Sequence, residues 1–93
     1  MRTIDRTAQF KKDYKREKKR QHRVELDKLL ADTVTKLAQD KVLLPKFKDH
    51  ALIGNWVAHR DCHLKPDLVL IYRKSDDEHL QLVRLGSHAE LSL

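Results

Sequence analysis

Between His59 and Asp67 the chain reads HRDCHLKPD, which places two histidines, two aspartates and a cysteine within nine residues. Leu68 to Tyr72, which follow, are continuously apolar and read as a buried strand, so the titratable cluster sits against a core rather than on a solvated tail. His50 precedes the cluster in KDH, and His88 follows it in GSH. Imidazole, with an ordinary pKa of about 6.5, can give or take a proton near neutral pH, and a neighbouring carboxylate fixes its tautomer and raises its basicity. Histidines and carboxylates without an evident protein nucleophile suit a reaction whose nucleophile belongs to the substrate. RNA strand cleavage is one: the 2′-hydroxyl attacks phosphorus, and the protein supplies a base, an acid for the leaving 5′-oxygen and positive charge. Arg60, Arg73 and Arg84 are candidates for the phosphate, because a guanidinium can grip two oxygens at once.

If Val57 to His63 is extended, His59, Asp61 and His63 share one face. Cys62 then points to the other face and reads as a small buried hydrophobe rather than a nucleophile, although His63 adjoins it. Asp67 follows Pro66 at the start of the next strand, where its carboxylate can orient a histidine. Gly86 permits a sharp bend before His88. Each residue also has a plainer reading. Asp61 can pair with Arg60 or cap a turn, His59 and His79 read as surface histidines, His22 belongs to a basic helix, and Trp56 reads as core. The spacing of His50, Asp61, Cys62, His63 and Asp67 matches neither paired CxxC nor HExxH, so no metal site is assigned.

Several elements must position these groups. RTIDRT reads as a short edge strand. Ala8 to Arg20 reads as a charged helix with Phe10 and Tyr14 on its inward face. Leu26, Leu29, Leu30, Val34 and Leu37 recur at helical spacing and predict a second helix from Arg23 to Gln39. VLLPKFKDHALIGN is a connection, with Pro45 as breaker and Gly54-Asn55 as a turn. WVAHRDCHL, DLVLIYR and HLQLVRL then read as strands, the last two joined by the turn residues KSDDE. Helices followed by adjacent strands predict an α+β domain: an antiparallel sheet with two helices packed on one face, leaving the other face or its rim for a site.

The 93 residues fit a single domain, and their net charge of +6 is uneven. From Lys11 to Arg23 eight basic residues stand against two acidic ones. Lys11, Lys12, Lys15, Arg16, Lys18, Lys19 and Arg20 therefore form a candidate phosphate-binding surface; a solvated helix face or a docking face for an acidic protein would carry the same charges. One cysteine forms no intramolecular disulfide and favours a reducing, cytoplasmic setting. No apolar run approaches the ~18 residues of a membrane span, and MRTIDRT lacks the apolar centre of a signal peptide.

The order KDHALIGNWVAHRDCHLKPDLVLIYR, followed by LVRLGSHAEL, resembles the YafQ-type branch of the RelE-like bacterial toxins. The correspondence is strongest from Lys48 to Leu91; the N-terminal half agrees in architecture. The resemblance implies an mRNA interferase of a type II toxin–antitoxin pair, cutting mRNA in the ribosomal A site through 2′-hydroxyl attack, without a cofactor. It implies a RelE-like fold and maps the family's active site onto His50, Asp61, His63, Asp67 and His88. His50 and His88 would then be the proton-transfer pair, with Asp67 orienting or charging one of them and Asp61 and His63 placing the substrate. The implied partners are the 70S ribosome and a ribbon-helix-helix-type antitoxin in a two-plus-two complex, with operator DNA bound only through the antitoxin. In the tail AELSL, Ser92 and Leu93 stand where related sequences often carry an aromatic ring, whose stacking on a base is worth ~1–3 kcal/mol. Two rivals stand beside this reading: a non-catalytic ribosome- or RNA-binding module, and a divalent-metal nuclease.

Overall fold

A computed structural model describes all 93 residues. The order is β1 (Thr3–Arg6), α1 (Ala8–Glu17), α2 (Arg23–Ala38), β2 (His50–Ala51), β3 (Arg60–Lys65), β4 (Leu68–Arg73) and β5 (His79–Gly86), with short 3₁₀ turns at Pro45–Phe47 and Gly54–Trp56. The strands form one sheet in the order β1-β5-β4-β3-β2. The α+β class is as expected, and the sheet is mixed: β1 is an edge strand running parallel to β5, while the other pairings are antiparallel. A parallel neighbour cannot be joined by a tight turn, so the chain between β1 and β5 includes both helices and the rest of the sheet.

Helix α1 starts where Thr7 caps it, the hydroxyl accepting from Phe10 N at 2.9 Å and donating to Val83 O of β5 at 2.8 Å. It ends at Glu17 rather than Arg20, because Lys19 and Arg20 N–H turn back to Arg16 and Glu17 carbonyls in tighter i to i−3 bonds. Helix α2 ends within one residue of its expected limit. Asp40 takes the left-handed position there (φ 58°), and Lys41 N bonds Lys36 O at 2.9 Å.

Both helices cover one sheet face. Phe10, Leu26, Val34 and Leu37 pack with Cys62, Leu64, Leu70, Tyr72, Leu80 and Leu82, each such large apolar side chain contributing roughly 1.5–3 kcal/mol on burial. Cys62 is fully buried, as its alternation predicts, and burial pushes its thiol pKa up. On the opposite face Val69, Ile71 and Leu91 form a smaller cluster with Leu52, Trp56 and Val83 against it. Trp56 is thus packed against this smaller core, and its indole N–H donates to Leu91 O at 3.4 Å.

A buried carboxylate ties α1 to β5. Asp13, fully buried, accepts from Arg84 Nε (2.8 Å), Arg16 Nη1 (2.9 Å), Leu85 N (3.1 Å) and Gln9 Nε2 (3.1 Å). Burial opposes its ionised form, yet the bonds from Arg84, Leu85 and Gln9 outweigh it and hold the pKa below the ordinary value. A lowered folded-state pKa means stability that is present above the unfolded value, about 3.9, and lost as pH falls through the folded one. Asp13→Ala should lose roughly 3–5 kcal/mol in urea unfolding at pH 7, since it strands two guanidinium groups, and the loss should shrink below pH 4.

Candidate active site

The period of β3 decides which side chains can meet. Cys62 and Leu64 face the helices, so Asp61 and His63 face the other way. Within the segment expected to be a plain connection, the two-residue strand β2 sets His50 opposite Asp61 in an antiparallel pair. His50 Nδ1 lies 2.7 Å from Lys48 O and 3.1 Å from Asp61 Oδ1. A carbonyl only accepts, so Nδ1 carries the hydrogen and Nε2 is left to face solvent. His59 does not join this row, because the strand begins only at Arg60, after a left-handed Ala58 (φ 69°).

His88 arrives from the other end of the chain. Asp67, in the tight β3–β4 turn, accepts from His88 N at 3.1 Å and from His88 Nδ1 at 2.8 Å. That contact also leaves Nε2 outward. The His88 and His63 rings meet edge to face with centroids 4.9 Å apart. His50, Asp61, His63 and His88 line one cavity of about 430 Å³, whose other wall is Leu52, Ile53, Asn55, Trp56, Ser92 and Leu93. A larger groove of about 640 Å³ lies between α1 and α2, floored by Ile4, Phe10, Leu30 and Val34, and contains no histidine.

The two carboxylates live in opposite environments. Asp61 is only 2% exposed, and its Oδ1 has no hydrogen-bond donor in bonding geometry. Burial raises its pKa, with the charges of His50, His63 and His88 pulling the other way. Asp67 is solvent-exposed, and the bonds from His88 lower its pKa. His63 is lowered mainly by burial, with Asp61 opposing and the charges of His88, Lys48 and His50 adding to the effect, so its neutral form is favoured at pH 7. The arrangement is a buried carboxylate beneath three imidazoles, one of them held by a second carboxylate. Such a set can move protons on both sides of a bound phosphodiester.

The arginines expected at the phosphate lie elsewhere. Arg60 points away from Asp61, with Nε 3.3 Å from Asp49, whose Oδ1 also accepts from the Tyr72 hydroxyl at 2.6 Å. Arg84 is held by Asp13, and neither it nor Arg73 lines the histidine cavity. Lys48, whose charge reaches His63, lines a neighbouring cavity with Asp49 and Arg60 and not the one that holds the histidines. The basic helix is divided too. Arg16 and Arg20 hold Glu90, and Lys18 holds Asp27, whereas Lys11, Lys12, Lys15 and Lys19 are exposed and make no ion pair. No three His, Cys, Asp or Glu side chains are grouped closely enough to hold a metal ion.

A raised pKa at Asp61 carries a stability consequence. Its contribution is present below the unfolded value and is lost as pH rises through the folded one, so the ionised form strains the fold at neutrality. Asp61→Asn should therefore be more stable than the parent at pH 7 by about 1 kcal/mol or more, because an unsatisfied charged group costs more to bury than a neutral one. Thermal unfolding between pH 4 and 8 checks this: the gap should widen with pH, and a uniformly less stable variant would refute it.

Comparison with known proteins identifies the family. Residues 2–93 match the family described as "Bacterial toxin of type II toxin-antitoxin system, YafQ". The chain is 40% identical over 91 residues to the mRNA interferase toxin YafQ of Escherichia coli K12, covering 97% of this chain and 95% of that one. A metal-bound toxin from Helicobacter pylori superposes with a TM-score of 0.84 at 46% identity over 98% of this chain and 99% of its own. YafQ in the E. coli DinJ–YafQ toxin–antitoxin complex gives 0.82 at 36% identity, covering 97% and 96%. With the full-length family match and these solved relatives, the chain belongs to the YafQ family of bacterial type II toxin–antitoxin toxins.

Proposed function

We propose that the protein is a ribosome-dependent endoribonuclease that cuts mRNA in the ribosomal A site. The observation that carries this reading is His88, oriented by Asp67 and facing the cavity whose other imidazoles are His50 and His63. One of the pair His50 and His88, unprotonated at Nε2, takes the proton of the 2′-hydroxyl as its oxygen bonds to phosphorus. The other, protonated, gives its proton to the 5′-oxygen as the P–O5′ bond breaks. The products are a 2′,3′-cyclic phosphate and a 5′-hydroxyl. His88 is assigned to the side nearer the reacting phosphate, with Asp67 holding its tautomer. Asp61 stabilises positive charge on the imidazoles above it, and His63 helps place the substrate. Positive charge for the phosphate comes from protonated imidazole, since Arg60 and Arg84 are committed to Asp49 and Asp13.

The mRNA interferase named among the relatives and the DinJ complex of E. coli YafQ support this reading. We assign the chain an acidic ribbon-helix-helix antitoxin in a two-plus-two complex, with operator DNA reached through that partner, and a cytoplasmic site of action. No helix of the chain is long and apolar enough to cross a membrane. The step needs no metal in this scheme, although the H. pylori relative is described as metal-bound.

His88→Ala should lower the single-turnover rate on ribosome-programmed mRNA by about 10²–10⁴-fold while ribosome binding persists, the usual worth of an acid–base group. A non-catalytic module would cut nothing in either form. Cleavage by the parent that stops in chelator, on ribosomes kept intact, would favour metal-dependent hydrolysis instead. The exposed lysines give a separate expectation. Changing Lys11, Lys12, Lys15 and Lys19 to Gln should weaken ribosome binding and reduce the slope of log K against log salt by roughly 0.7–0.9 per lost phosphate contact.

A further inference from the structure

His88 belongs to no regular element, so something must fix the backbone that carries it. It sits in a single turn after β5, where Leu91 N bonds Ser87 O at 3.1 Å. Ser87-His88-Ala89-Glu90 closes that turn reciprocally: Glu90 Oε1 accepts from Ser87 N at 3.1 Å, and Ser87 Oγ accepts from Glu90 N at 3.2 Å. Leu91, 1% exposed, plugs the turn into Val69 and Ile71. Those contacts fix the turn internally and anchor one end.

The charged anchor comes from α1 and the turn that follows it. Arg20 Nη1 lies 2.9 Å from both Glu90 oxygens, and Arg16 Nε lies 3.3 Å from Oε2. Arg16 Nη2 also donates to Leu85 O at 2.7 Å, so one guanidinium holds the chain three residues before His88 and two residues after it. The passage between depends on Gly86: a Cβ there would stand 2.7 Å from Arg16 Nη2 and 3.4 Å from Glu90 Oε1. Asp67 also tethers the His88 backbone N–H and ring, but its side chain is 66% exposed, against 28% for Glu90.

We propose that Glu90, gripped by Arg16 and Arg20, is a positioning residue for His88. The proposal rests on the proton-transfer role assigned to His88 above. Glu90 touches no substrate; it holds the imidazole at the distance that proton transfer requires. A displacement of about 1 Å in a catalytic group can cost on the order of 10²-fold in rate. The ion pairs that fix it are charge-assisted and partly shielded, hence stronger than ordinary surface contacts.

The test compares Glu90→Ala, the milder Glu90→Gln and Arg20→Ala with the parent and with Val34→Ala, a control that loosens the helix-side core alone. Glu90→Ala should lower kcat on ribosome-programmed mRNA by roughly 10–100-fold with KM changed less than about twofold. Glu90→Gln keeps the cap but loses the charge and should fall between. Arg20→Ala and Glu90→Gln together should lose less than the product of their separate effects. Long-range ¹H–¹⁵N spectra of the His88 ring should show the parent's Nδ1–H form giving way to a mixture in Glu90→Ala, and the His88 amide order parameter should fall. Val34→Ala should leave kcat and the ring unchanged. If Glu90→Ala does not fold, Glu90→Gln carries both measurements. An unchanged kcat with an unchanged ring overturns the proposal, as does an equal loss in Val34→Ala. If the parent cuts no mRNA, the proposed activity fails, and the ring spectra then decide: a released His88 sustains the positioning role, and a fixed one ends it.

Discussion

The two-residue period of β3 is the constraint on which the remaining structure hangs. Cys62 opposite Leu70 and His63 opposite Val69 are set by the ladder to β4, and β4 is apolar on both faces. A slip by one residue would drive Asp61 and His63 into the helix-side core and expose Cys62 and Leu64, an exchange of buried methyl groups for buried charge. The core therefore enforces the register, and the register delivers the polar pair to the face opposite the helices. Strand β2, only two residues long, gains its place from the same ladder by setting His50 across from Asp61. The site is a by-product of strand pairing that the apolar residues alone are strong enough to dictate.

Placing one carboxylate under the site and another at its edge gives them different tasks. Asp61 is withdrawn from water and lacks donors, so its charge is costly and acts through a low-dielectric path on the rings above. Asp67 is wet and doubly bonded to His88, so it remains ionised and controls orientation more than charge. The same residue type in one site thus supplies a field in one position and a tether in the other, the first set by burial and the second by the hydrogen bonds from His88.

Much of this was legible in the sequence where a pattern is local. The Leu26–Leu37 stripe, the apolar run from Leu68 to Tyr72 and the KSDDE turn correspond to α2, β4 and the β4–β5 hairpin. Alternation around Cys62 separated buried from exposed residues. The failures concern partners distant in the chain. Nothing near Thr3 says that its neighbour is His79 or that the pairing is parallel. Nothing near Arg84 or Arg60 says that Asp13 and Asp49 hold them. The convergence of His50, Asp61, His63, Asp67 and His88 was suggested by the strand order and alternation, with the family resemblance mapping an active site onto the same five. The serine–glutamate cap around His88 is spelled out in SHAE, yet its charged grip depends on α1 and the turn after it, some seventy residues away.

The basic helix shows why charge counting misled at Arg16 and Arg20. A guanidinium is planar, carries several donors in fixed directions and tolerates partial burial, whereas an ammonium is strongly hydrated and prefers water. Along α1 and the turn after it, the arginines turn inward to carboxylates and to Leu85 O, while Lys11, Lys12, Lys15 and Lys19 remain in solvent. The net positive charge of this stretch is therefore two populations with separate duties. The lysines offer a diffuse, salt-sensitive surface suited to a polyanion, since they form no competing ion pair. The arginines hold the frame that carries His88. A polyanion docking on the lysines would meet Arg20 at the boundary, because its side chain remains half exposed while gripping Glu90.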